Sequence, residues 1–171
     1  MSEITPIVRS PREPFADACN AANAWRGACT HLFAEGEMAL AQTLKALALV
    51  PKGGTAPKSS QMIAQNISAV AKLVGPGGAF AVEGAKVAAA LAAIETHLPW
   101  RARLTHGVGK PYLNAQGEWL LSLRFFGSGK DKEEQKHFIG QSDAELFRKA
   151  LSADVRRFIA ALAEMRKAVA V

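Results

Sequence analysis

Arg101 and His106 stand five positions apart in the stretch Leu98-Pro99-Trp100-Arg101-Ala102-Arg103-Leu104-Thr105-His106-Gly107. These are the two side-chain types needed to cut a phosphodiester without a metal. A histidine that titrates at about pH 6.5 can take the proton of a ribose 2′-hydroxyl or return one to the leaving oxygen. An arginine offers a planar fork to the charge that builds on the phosphate oxygens. Arg101 and His106 are therefore the catalytic candidates. Trp100, beside them, is a candidate for stacking on a base, and Arg103 and Arg124 are candidates for holding phosphate. The plainer alternative is a surface arginine and a helix-terminal histidine that stabilises the last carbonyls of its helix.

The rest of the chain must position that stretch. Its 171 residues fit one domain with a real core, and a formal charge of +6 favours an anionic partner such as RNA. Two cysteines, Cys19 and Cys29, fall in one expected helix, where ten residues of rise hold them roughly 15 Å apart. They cannot bridge each other, which points to a reducing compartment, and a cytoplasmic location is expected. The most apolar segment, residues 80–98, carries Glu83, Lys86, Glu95 and His97, so no membrane span is expected.

Residues 1–14, with Pro6, Pro11 and Pro14, read as an extended arm, and residues 15–171 as a single helical domain. A first helix is expected from about Phe15 to Leu49, with its core stripe on Phe15, Ala18, Ala22, Trp25, Cys29, Leu32, Gly36, Leu40, Leu44 and Leu47. The run Lys52 to Lys58 reads as a loop, after which Ser59 or Ser60 caps a second helix striped by Ile63, Ile67, Val70 and Val74. Gly75-Pro76-Gly77-Gly78 ends it; the run lacks the lysine and strand context of a phosphate loop, and no cofactor is expected. A third helix is expected from near Ala79, with alanines at 88–90, 92 and 93 that suit a close helix neighbour, and Gly107 and Gly109 stop it. Pro99 either kinks this helix or opens a short continuation.

The period then changes. Tyr112-Leu113, a turn at Asn114 to Gly117, and Trp119 to Phe126 read as a β-hairpin, followed by a polar loop from Gly127 to Lys136 and a short third strand at His137 to Ile139. A last helix runs from a Ser142 cap to about Ala168, striped by Phe147, Leu151, Val155, Phe158, Leu162, Met165 and Val169. The expected fold is mainly all-α: a four-helix bundle with a small β-hairpin inserted before the C-terminal helix. His31 and Glu35, four apart on one helix face, lack a recognisable third ligand; an ion pair on a solvated face is expected and no metal.

The run Arg101-Ala102-Arg103-Leu104-Thr105-His106-Gly107 resembles the Arg-x4–6-His signature of the HEPN superfamily, often seen as Arg-Asn-x-Leu-x-His-Gly. Arg26 and His31 form a second match, but only at 101–107 do the leucine and glycine agree as well. The resemblance implies a small helical bundle and metal-independent RNase activity, often in toxins or anti-phage effectors. It also implies a homodimer in which the catalytic groups of two protomers meet in a shared cleft, and a partner that restrains it. One position departs from the pattern: Ala102 stands where cleaving members commonly carry a polar residue. That leaves a second reading open, a catalytically inactive helical module that binds RNA or a protein partner. Five positions on an ideal helix set two side chains about 140° apart, so Arg101 and His106 converge only if the last turn unwinds or a second protomer supplies one of them.

Overall fold

The structure, a computed structural model, describes residues 13–51, 63–126 and 133–170. Four helices and three strands follow in the order α1 (Glu13–Leu47), α2 (Ile63–Val74), α3 (Ala85–His106), β1 (Val108–Leu113), β2 (Trp119–Phe126), β3 (Glu134–Gly140) and α4 (Gln141–Val169). The architecture is mostly helical, with a small sheet inserted before the last helix. Residues 1–12 of the expected arm, the Lys52–Lys58 loop, the Ser59 or Ser60 cap and residues 127–132 lie outside the described residues. Among the described residues no helix is long and apolar enough to cross a membrane.

α1 and α4 pack along each other and form the centre of the molecule. Nearly all of the apolar stripe expected of α1 is buried, but two positions need correction. Phe15 is exposed, because residues 13–17 at the start of α1 run past the described elements that bury the rest of the stripe, and Phe33 takes the core position beside Cys29 that Leu32 only half fills. Burial drives the Cys29 thiol up to about 12, an effect that the Arg148 charge only partly offsets, so this cysteine is inert.

α3 starts at Ala85 and not near Ala79. The intervening residues fold Phe80 into the core: its N–H donates to the Leu73 carbonyl at 2.9 Å, and its carbonyl accepts from Gly84 N–H at 2.8 Å. A side chain at Gly84 would collide with Val74, so the chain can pass the end of α2 only as glycine. Pro99 lies inside one continuous helix. On its other flank α3 meets α4 through Ala90 and Ala161, both buried, with Lys86 and Glu164 paired across the rim at 2.7 Å. Part of the alanine-rich face is thus covered within the chain, while Ala89 and Ala92 stay exposed.

The hairpin supplies two strands of a three-stranded antiparallel sheet, in the order β1-β2-β3. β1 begins at Val108, earlier than expected, because its pairing with β2 continues without a break from Leu113↔Trp119 to Val108↔Arg124. Pro111 is accommodated because β1 is an edge strand. Gly109 is therefore a strand residue, and Gly107 alone ends α3. β3 starts at Glu134, so Lys136 belongs to a strand and not to the loop. It runs directly into α4 at Gln141, which puts Gly140 at the helix start and leaves Ser142 inside the first turn without a capping bond.

The joint between α3 and β1 is fixed from α1. Arg26 donates from Nε to the Leu104 carbonyl and from Nη2 to the Gly107 carbonyl, each at 2.8 Å. Those carbonyls belong to the electronegative end of a helix, where a cation is favoured. A Cβ at Gly109 would lie 3.0 Å from the Arg26 Nη1, so a side chain there would crowd the guanidinium and press on its two bonds. Arg26→Gln should lower stability by about 2 kcal/mol or more, since each charge-assisted bond contributes about 1.5–3 kcal/mol. Denaturant unfolding measures it; a midpoint equal to wild type would mean that Arg26 does not hold the joint.

Candidate functional site

The C-terminal turns of α3 carry the motif, and the helix stays regular through His106. Gly107 N–H donates to the Arg103 carbonyl at 2.9 Å, so the last turn is closed and does not unwind. Arg101 and His106 therefore point to different sides of one helix, about 140° apart. Arg101 faces α1, where Nε and Nη2 reach the two carboxylate oxygens of Glu37 at 3.0 and 3.5 Å. His106 is exposed, and among the described residues it has no hydrogen bond, ion pair or ring contact. It does not stabilise the helix-end carbonyls, because Arg26 does so.

The other candidates divide between packing and surface. Trp100 is half-buried, edge-on to the His137 ring at 4.5 Å between centroids and tilted against Phe147 at 5.0 Å. Arg103 lies over both Trp100 and Phe125, at 5.4 and 5.7 Å from the ring centroids. A guanidinium on two aromatic faces is held in place with much of its edge left for an anion. Arg124 is exposed on β2, with a loose 3.5 Å contact to Glu134 across the strands. Trp25 is a core residue, as its stripe position predicts, and its indole N–H donates to the Ala144 carbonyl at 2.7 Å.

Arg26 and His31, the second match to the motif, separate into unrelated roles. Arg26 is the joint described above, and His31 forms the expected surface contact with Glu35 at 3.4 Å. Among the described residues no three His, Cys, Asp or Glu side chains group so as to hold a metal ion.

Three residues near the motif have roles that the sequence did not assign to them; of these, only Glu37 was weighed from the sequence, beside His31 and Glu35 as a metal ligand. His97 Nε2 lies 2.9 Å from Asp154 of α4, with both side chains mostly buried, and its ring meets Phe147 at 5.5 Å. The signal was present: His97, Arg101 and Leu104 continue the buried row of Val87, Leu91 and Ile94 at steps of three and four. Glu37, as the partner of Arg101, had no such local signal. His137, on β3, is held below the ordinary histidine value of 6.5, first by burial and then by the Arg103 charge. It is neutral at neutral pH and serves as a ring against Trp100.

No family model, curated protein or solved structure matches the chain.

His137 makes a pH-dependent contribution whose sign is fixed. Its folded-state value lies below 6.5, so between the two values the unfolded chain binds the extra proton and stability falls as pH falls. The full contribution is present above 6.5 and is lost as pH drops through the folded value. NMR titration of the ring should give a midpoint below 6.5, and unfolding from about pH 7.5 to about pH 5 should cost wild type more stability than His137→Asn. Equal losses in the two proteins would contradict the assignment.

Proposed function

We propose that the chain is one protomer of a metal-independent endoribonuclease of HEPN type, in which His106 is the acid–base group and Arg101 the phosphate clamp. The observation that carries the reading is the state of His106, an exposed imidazole with no partner among the described residues, on a helix end that Arg26 pins in place. Catalysis requires a proton carrier that solvent and substrate can reach, mounted on a rigid element. His106 meets both requirements. Arg101 is pre-oriented by Glu37, and its charge is partly neutralised until a phosphate competes for it.

The chemistry follows from the two side chains. Neutral His106 accepts the 2′-hydroxyl proton as the 2′-oxygen attacks phosphorus. The bond to the 5′-oxygen breaks, and a protonated histidine returns a proton to that oxygen. The products are a 2′,3′-cyclic phosphate and a 5′-hydroxyl end. Arg101 stabilises the charge on the non-bridging oxygens during the transfer. Because the two groups diverge on one helix, the arginine and the histidine of a working site come from two copies related by a two-fold axis.

Two observations favour a second reading, a catalytically silent module that binds RNA or a protein. The fork of Arg101 is already filled by Glu37, and Ala102 brings no polar group to the site.

On a fluorogenic single-stranded RNA, His106→Ala should lose cleavage by about 10²–10⁴-fold and unfold at the wild-type midpoint, since the side chain is exposed. Arg101→Ala should lose both cleavage and RNA affinity. Cleavage should persist in EDTA. A wild-type protein without activity, or His106→Ala with undiminished activity, would remove the catalytic reading.

A further inference from the structure

The sheet has two unlike faces. The inner one, with Gly109, Leu121, Leu123 and Ile139, packs on the helices. The outer one presents three cross-strand rows, Val108–Arg124–Lys136, Lys110–Ser122–Phe138 and Tyr112–Leu120–Gly140, with Phe126–Glu134 at the far end. Phe138 is 54% exposed, Tyr112 40% and Phe126 73%, in an order that alternates rings with cations. The Lys110 ammonium lies 5.3 Å from the Tyr112 ring centroid. On the middle strand, buried Ser122 separates Lys110 from Phe138, and Leu120 separates Tyr112 from Gly140.

We infer that this outer sheet face is a binding platform for single-stranded nucleic acid, with bases stacked on Tyr112 and Phe138 and phosphates held by Lys110, Arg124 and Lys136. Exposed rings on a strand surface are costly in water unless they receive a flat apolar partner, and every base supplies one. Charge selects the occupant. Among the strand residues of this face three cations stand against one carboxylate, Glu134, and its contact with Arg124 at 3.5 Å is half-exposed and weak enough for a phosphate to displace. A second copy of the chain docked on this face by a two-fold axis would set like charges against one another. A duplex hides its base faces and cannot use the rings.

The platform also has a direction. Its Val108–Arg124–Lys136 row begins two residues after His106, so a strand lying across the rings runs toward the C-terminal end of α3. Binding here depends on the sheet alone and stands whether or not His106 cleaves.

The probe is a fluorescein-labelled single-stranded dT12, which has no 2′-hydroxyl and cannot be cut by the proposed chemistry; its anisotropy is read across a salt series. Wild type should bind with a log–log salt slope of about −2, from about −0.7 for each of three neutralised phosphates. Tyr112→Ala and Phe138→Ala should each weaken binding about ten-fold without moving the melting temperature. Phe138→Leu keeps the apolar bulk and should weaken binding similarly, because the ring face is lost. Lys110→Gln or Arg124→Gln should flatten the slope by about 0.7. The inference is overturned if dT12 does not bind, if the ring variants bind as wild type does, or if polyglutamate of equal charge binds as tightly and loses as much in those variants. It is also overturned if sedimentation shows that Phe138→Ala converts a dimer to a monomer with dT12 affinity unchanged.

Discussion

One guanidinium determines how the helical and sheet parts of this molecule meet. Arg26 projects from the middle of the longest helix and takes two carbonyls at the end of α3, those of Leu104 and Gly107. The planar fork does what a lysine could not, since a point charge cannot hold two acceptors in fixed directions at once. With the helix end tied to α1, β1 leaves it across Arg26, and the absence of a side chain at Gly109 lets the strand pass the guanidinium without crowding it. The direction of β1 sets the register of β2 and β3, and so decides which face of the sheet meets the helices and which meets solvent. His106 and the outer rings owe their positions to that joint.

A second set of contacts ties α4 into the same region. Phe147 touches Trp25 of α1 and both His97 and Trp100 of α3, and Trp100 in turn meets His137 of β3. His97 and Asp154 add a mostly buried polar link between α3 and α4. Such a pair costs desolvation, which is offset because His97 meets one oxygen of Asp154 while Arg157 meets the other at 3.2 Å. It specifies how α3 is rotated, and that rotation directs Arg101 to Glu37 while His106 points outward.

Much of this was legible from residue spacing. The steps of three and four in α1 and α4 place Trp25, Cys29, Leu151 and Phe158 in the core, and they are buried. The switch to period two marks the strands, and the third strand is present. What escaped is what depends on partners distant in sequence. Nothing local announces that Arg26 binds carbonyls some eighty positions on, or that Glu37 and Arg101 pair. The start of α3 moved to Ala85 because Phe80 is needed in the core, which propensity alone does not convey. Gly109 reads as a helix stop until its neighbour Arg26 is known. Phe15 fits the stripe but lies on a first turn and a half of α1 that the described residues leave exposed.

In the proposed enzyme Arg101 and His106 work together from different chains. Arg101→Ala and His106→Ala proteins, each inactive alone, should regain cleavage when mixed and allowed to exchange subunits. A heterodimer restores one intact site of its two, so a statistical mixture should reach about a quarter of wild-type activity. A mixture that stays at the level of the separate variants, while wild type cleaves, would contradict the composite site.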